Sequence, residues 1–322
     1  MRSSNAPEHF VTLFDSNYLP LGICLHHSLM ERAQSFHLWI VCMDELAETQ
    51  LRELALPHVS LLPLREVETP ELLAVKAGRS RGEYCWTLTP FTPQFVFDRD
   101  PSATRVTYLD ADLYFFDTPD ILLVELDESG KDVLITPHAY APEYEQSLTS
   151  GIYCVQFVTF LRNAGGMKVL QWWQERCLEW CFARLEDGKC GDQMYLDDWP
   201  IRFAAEVHVL KSVEKTMGPW NVRHFMRRDA DLQPVLYHFH SLKIVAVNKL
   251  HLCSGFRLGA GRRLYDRYVV VMQQTLRLLH AANMPIPVLA PSRQNSGWLR
   301  TFKRWLFQHA VYQKLDRAER GK

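Results

Sequence analysis

Phe36 to Cys42 (FHLWIVC) is the stretch that most narrows what this chain can become. It is apolar almost throughout, so neither face of it suits water. A strand of that kind belongs in a sheet covered on both sides, as parallel sheets are. Arg105 to Leu109 (RVTYL) has the same character. His9 to Phe14, Val59 to Leu64, Asp132 to Pro137 and Gly151 to Phe157 read as further strands. Between them lie segments with helical spacing of apolar residues: Tyr18 to Arg32, Glu45 to Leu56 and Met167 to Leu185. Glu66 to Gly82 is less regular, and Glu83 to Phe97 is aromatic-rich. Strands alternating with helices predict an α/β architecture, doubly wound around a mainly parallel central sheet.

The sheet pattern fades after Val247. Arg263 to Ala282 reads as one long helix, prolines break the chain near residues 285–291, and Ser296 to Lys322 reads as a separate tail helix. This divides the chain into residues 9–250, with the sheet, and a helical extension, residues 251–322.

The chain has 322 residues and a net charge of −1, which argues against a nucleic-acid partner; such domains carry a basic excess. No apolar run approaches the roughly 20 residues that cross a bilayer. Met1 to His9 is short and polar, unlike a signal peptide, so a cytoplasmic protein is expected. The tail carries eight Lys/Arg against two acidic residues from Arg293 onward, with Trp298, Phe302, Trp305 and Leu306 at helical spacing. Two readings stand: peripheral contact with the inner face of a membrane, or a helix packed on the domain or a partner. Of eight cysteines, Cys24, Cys42, Cys85, Cys154 and Cys253 stand singly and read as reduced core residues. Cys177, Cys181 and Cys190 lie closer together, but no paired C-x-x-C occurs, so a buried helix face is preferred to structural zinc.

Four short constellations carry chemistry. Asp110-Ala111-Asp112 follows the buried strand ending at Leu109, at the carboxyl edge where open α/β sheets bind ligands. Two carboxylates so close repel, and a hard divalent cation relieves them and bridges to phosphate. Far downstream, Tyr237-His238-Phe239-His240-Ser241-Leu242-Lys243 offers imidazole ligands and a point charge for a pyrophosphate, or simply a hydrogen-bonded histidine pair. Cys190-Gly191-Asp192-Gln193 offers an acid and an amide for sugar hydroxyls, or a cap on the helix that follows. Phe14-Asp15-Ser16-Asn17-Tyr18 offers polar groups and an aromatic face, or a simple helix-capping turn.

In this order, the segments VTLFDSNYLPLG, GEYCWTLTPF, VTYLDADLYFF, CGDQ and HFHSLK resemble the GT-A fold glycosyltransferases of family 8, the glycogenin and bacterial lipopolysaccharide-galactosyltransferase type. The likeness runs from about Phe10 to Lys243. It implies a nucleotide-diphosphate-sugar donor, UDP-linked by preference, Mn²⁺ (or Mg²⁺), a hydroxyl acceptor and retention at the anomeric carbon. It places Thr12, Leu13, Asp15 and Tyr18 at the base and ribose, and the Asp110–Ala111 backbone beside the donor. Asp110, Asp112 and His238 become metal ligands, and Lys243 faces phosphate. Ser150 and Gly151 line the sugar pocket, and Asp192 and Gln193 sit beside the anomeric carbon as catalytic residues. The basic residue ahead of the C-W run falls to Arg79 or Arg81, with Arg81 preferred. H-S stands where the family has L-G or C-G, so His240 becomes a second candidate for metal or acceptor. The aromatic, acid-bearing pattern around Glu83 to Trp86 is closer to a bacterial branch that builds surface polysaccharide or lipopolysaccharide than to glycogenin, and the basic tail suggests a glycan or lipid-linked glycan acceptor. The competing readings are another metal-dependent nucleotide-sugar enzyme (a hydrolase or nucleotidyltransferase) and a non-catalytic nucleotide-sugar-binding protein. Phe14 to Leu21 holds no glycine, which disfavours the nucleotidyltransferase.

Overall fold

The computed structural model describes residues 6–289 and 311–315. In chain order its strands are β1 (Glu8–Phe14), β2 (Phe36–Cys42), β3 (Val59–Pro63), β4 (Arg105–Leu109), β5 (Leu113–Phe115), β6 (Val133–Pro137) and β7 (Tyr153–Leu161). They continue with β8 (Val207–Val209), β9 (Thr216–Met217), β10 (Leu236–His238), β11 (Lys243–Ala246), β12 (Lys249–Cys253) and β13 (Val311–Lys314). The central sheet runs β3-β2-β1-β4-β7-β6-β8. Its neighbours are parallel except at β7, which is antiparallel to both β4 and β6.

Residues alternate between the two faces of the sheet, as strand geometry requires. Val11, Val41, Val106, Tyr108, Val158 and Phe160 face one core, closed by Val169, Leu170 and Trp173 of the Ala164–Glu179 helix. Phe10, Phe14, Leu38, Ile40, Leu109 and Phe157 face the other. That side is closed by the Leu19–Arg32 and Asp120–Ser129 helices. This is the doubly covered α/β sheet that FHLWIVC predicts.

The reversal of β7 decides where the functional groups fall. Leu109, the last residue of β4, pairs with Phe157, so the start of β7 projects beyond the carboxyl end of β4. Ser150, Gly151 and Cys154 therefore reach the same edge as Asp110. A parallel β7 would have sent them to the opposite edge.

Several local expectations change. Glu66 to Gly82 contains the Pro70–Lys76 helix, N-capped by Thr69, and the aromatic stretch is helical over Arg81–Leu88 and Thr92–Arg99. Sheet structure does not end at Val247: β12 runs through residues 250 and 251 and pairs with β11 and β13. The tail helix expected over Ser296 to Lys322 is corrected at Val311–Lys314, which is a strand antiparallel to β12. The β12 edge offers unpaired backbone groups, and Val and Tyr favour strands, so edge pairing wins over helix there. The rest of that tail, with the proposed basic amphipathic face, lies outside the described residues. Among the described residues no helix is long and apolar enough to cross a membrane.

Trp173 ties this core to the carboxyl edge. Its ring is fully buried against Phe160 and edge-on to Trp199, and its Nε1 donates to the Asp192 carbonyl at 2.9 Å. Trp173→Ala is expected to lower unfolding free energy by about 3–5 kcal/mol in urea titrations, the usual cost of emptying a large aromatic site; a loss below about 1 kcal/mol would contradict this packing.

Candidate active site

β4 delivers Asp110 to the sheet edge, and the Asp110 N–H donates to the Gln156 carbonyl of β7 at 3.1 Å. The chain then turns, Leu113 N–H donating to the Asp110 carbonyl at 3.3 Å, and enters β5. β5 pairs antiparallel with β10, Leu113 opposite His238, and Phe239 N–H donates to the Asp112 carbonyl at 2.9 Å. This pairing closes more than a hundred residues of chain. It sets His238 Nε2 at 3.0 Å from Asp112 Oδ1 and 3.8 Å from Asp110 Oδ2. The D-x-D pair and the distant imidazole are therefore together. His238 Nδ1 lies 3.0 Å from Gln156 Oε1, and Tyr108 donates its hydroxyl to Asp110 at 2.9 Å. Among the described residues, the set whose ligating atoms all lie within 4.8 Å of one another is Asp110, Cys154 and His238; Asp112 touches His238 but stands outside that set.

An amide oxygen only accepts, so the Gln156 contact puts the Nδ1 proton on the ring and aims Nε2 at two carboxylates. That arrangement demands a positive charge on the Nε2 side, either a proton or a divalent ion. Against burial, Asp112 and Asp110 hold the His238 pKa well above the usual value. Burial pushes Asp110 up to about 6, while His238, acting against burial, holds Asp112 below the usual range. Carboxylates beside an oriented imidazole can hold a divalent metal, and a Gln-held Nδ1–H is the outer contact a ligating histidine needs.

Asp192 is 3 % exposed, and burial, followed by the charge of Asp110, raises it to about 7. Its Oδ2 has no protein partner among the described residues. It heads the Gln193–Asp198 turn of 3-10 helix without a side-chain capping bond, so the capping explanation for this acid falls away. Gln193 Nε2 donates to the Ser150 carbonyl at 2.6 Å, and Asp197 accepts from Ile152 N–H at 2.8 Å. Together they clamp the loop at Gly151, whose φ of +86° suits glycine. Ser150, Gly151, Asp192 and Gln193 thus converge.

At the end of β1, Asp15 Oδ1 accepts from Asn17 N–H (2.8 Å) and Tyr18 N–H (3.2 Å), turning the chain into the Leu19–Arg32 helix. Arg81 Nε reaches Asp15 Oδ2 at 2.9 Å and also pairs with Asp44, which caps the Glu45–Leu54 helix. Arg79 instead donates to the Leu178 carbonyl at 2.6 Å, so of the two arginines only Arg81 joins the β1 turn. Tyr18 keeps 41 % of its surface exposed; desolvation of its hydroxyl, then Asp112, Asp15 and Asp110, push it up to about 12, so it stays neutral. Lys243 and Tyr18 border one shallow depression with Leu21 and Leu242. Thr12 is wholly buried, and the Leu13 side chain belongs to the core, which leaves it no side-chain reach into the site.

Sequence reasoning passed over Gln156, Cys154, Asp44 and His138. Asp44 follows the buried strand β2 as Asp110 follows β4, so the same rule finds it. Gln156 is a fully buried amide inside an apolar strand, a signal in itself. Cys154 is a free, buried core residue, as expected, but belongs to none of the three apolar clusters. His240 is exposed, edge-on to His238 with ring centroids 5.6 Å apart.

No family model matches the chain. YfnF of Bacillus subtilis (strain 168), an uncharacterized protein, is 31% identical over 255 residues, covering 75% of this chain and 84% of YfnF. The chain belongs to the YfnF family. YfnD of the same organism, also uncharacterized, is 27% identical over 287 residues, covering 85% of this chain and 91% of YfnD. Among solved structures, this YfnF-family protein is similar to the apo-form glycosyltransferase GlyE of Streptococcus pneumoniae TIGR4. The TM-score is 0.52 at 13% identity, over 90% of this chain and 66% of GlyE. Mouse xyloside xylosyltransferase 1 gives a TM-score of 0.50 at 14% identity, over 73% of this chain and 98% of that one. The YfnF-family protein thus shares its mixed α/β fold, built on a large, mostly parallel sheet, with glycosyltransferases.

His138 gives the site a pH signature. Trp220 Nε1 (2.7 Å) and Asn221 Nδ2 (2.8 Å) donate to its carbonyl, Tyr140 stacks on its ring at 4.6 Å, and Trp220 also stands edge-on to His238. Burial, then the charge of His238, lowers His138 from 6.5 to about 3, so the folded protein resists protonating it. Its contribution to stability is full above 6.5 and is lost as pH falls toward about 3. In urea titrations between pH 6.5 and 4, His138→Gln is expected to lose stability less steeply than the parent by up to about 1.4 kcal/mol per pH unit; equal slopes would contradict the assignment.

Proposed function

We propose that this YfnF-family protein is a metal-dependent glycosyltransferase of the family-8 type. It moves a sugar from a UDP-sugar to a hydroxyl of a surface glycan or lipid-linked glycan, with retention. The observation that carries the reading is the approach of His238 Nε2 to Asp112 (3.0 Å) and Asp110 (3.8 Å) at the carboxyl edge of the sheet. The fold shared with glycosyltransferases supports it, as does the buried Asp192 beside the Gly151 loop, whose Oδ2 has no partner among the described residues.

Residues 9–250 carry the catalytic unit, and 251–322 form an appendage. Asp110, Asp112 and His238 would hold the ion, Mn²⁺ or Mg²⁺, which would supply Lewis-acid stabilisation of charge on the departing diphosphate. Tyr18 stacks on the base, while Asp15, with Arg81 beside it, and the backbone at Thr12 and Leu13 meet the base and ribose. Lys243 faces the phosphates as a point charge. Ser150 and Gly151 shape the sugar pocket, and Asp192 and Gln193 bind its hydroxyls and steady positive charge at the anomeric carbon. The bond from that carbon to the diphosphate oxygen breaks as the bond to the acceptor oxygen forms on the same face. The acceptor's proton passes to the departing phosphate oxygen.

Asp110→Asn and Asp112→Asn, assayed separately for UDP release with Mn²⁺, are expected to lose about a hundredfold or more in turnover, the scale of removing one charge-stabilising element. Near-parent rates in both would overturn the metal role. An inverted linkage in the product's ¹H-NMR spectrum would overturn retention.

A further inference from the structure

Six cysteines are buried, and five of them (Cys24, Cys42, Cys177, Cys181 and Cys253) belong to the apolar clusters. Cys154 alone does not. It lies on β7 two residues before Gln156, where the strand's register with β6 shifts, and its thiol hydrogen-bonds the His238 ring. Gln156 Oε1 lies 3.0 Å from His238 Nδ1, and the ligating atoms of Asp110, Cys154 and His238 lie within 4.8 Å of one another. Two donors on one ion can be separated by no more than the sum of their bond lengths, about 4.4 Å for a sulfur and an imidazole nitrogen. Small side-chain rotations therefore bring all three onto one ion.

We propose that the Cys154 thiolate is a protein ligand of the divalent ion, joining Asp110 and His238. The proposal rests on the metal-site reading above and extends it to a donor of different chemistry. With neutral His238, the thiolate and the Asp110 carboxylate match the divalent charge, and Asp112 leaves the site with one net negative charge. The thiol passes its proton to water as the sulfur–metal bond forms. A sulfur donor draws the site from hard Mg²⁺ toward softer ions such as Co²⁺ and Zn²⁺.

Cobalt tests this directly, because a thiolate bound to Co²⁺ absorbs in the near ultraviolet by charge transfer and carboxylate or imidazole ligands do not. The full-length protein is titrated with Co²⁺, with binding followed by calorimetry and absorbance in parallel. The parent is expected to show the sulfur band at saturation. Cys154→Ser and Cys154→Ala are expected to lose the band and bind Co²⁺ about tenfold or more weakly, with circular dichroism confirming the fold. Co²⁺ binding that Asp110→Asn abolishes, without a sulfur band, would overturn the Cys154 assignment and leave the metal site standing. A band that survives in both Cys154 variants would overturn it equally. An absence of Co²⁺ binding in the parent would bring down the metal reading itself and this inference with it.

Discussion

An imidazole held between two carboxylates has to be balanced by positive charge, and this requirement organises the carboxyl edge of the sheet. His238 Nε2 faces Asp112 and Asp110 in a largely buried setting, where unlike charges attract strongly and unbalanced ones are costly. The arrangement depends on one short antiparallel pairing, β5 with β10, that joins distant parts of the chain. Gln156 fixes the ring from behind, and Tyr108 holds Asp110 from below. The constellation is thus set by backbone register and outer hydrogen bonds, the preorganisation a binding site needs.

The reversed strand β7 is the second element of the design. Because it runs against β4, its first residues and the Gly151 loop arrive beside Asp110. The 3-10 helix after Asp192 then grips that loop through Gln193 and Asp197, and Trp173 anchors the Asp192 backbone in the core. Core packing and site geometry are therefore linked through few contacts: a change at Trp173 reaches the Gly151 loop through Asp192 and Gln193.

Much of this was legible in the sequence, for identifiable reasons. Runs such as FHLWIVC and RVTYL declare a sheet buried on both faces, and acids directly after such a run declare its carboxyl edge. Strand direction is not written in apolar runs, so the reversal of β7 was hidden, and with it the approach of Cys154 and Gln156. β5 and β9 are three and two residues long, too short for a period of two to show. His238 could be joined to Asp112 only by resemblance, since the residues alone allow a plain histidine pair. Composition makes a single buried cysteine look like a core residue; only its neighbours show that Cys154 faces polar groups. At Val311–Lys314 helical spacing over a long window misled, because pairing with an open edge is a tertiary effect.

The central claim is that Asp110, Asp112 and His238 close around one cation beside a nucleotide-diphosphate pocket. The most direct measurement is the thermal unfolding midpoint of the parent and His238→Ala with UDP alone, Mn²⁺ alone and both. Ligands that bind only the folded state raise that midpoint by mass action. The account predicts that UDP stabilises the parent when Mn²⁺ is present and far less without it, and that His238→Ala loses this synergy. Equal stabilisation by UDP with and without the metal, or an unchanged synergy in His238→Ala, would contradict it.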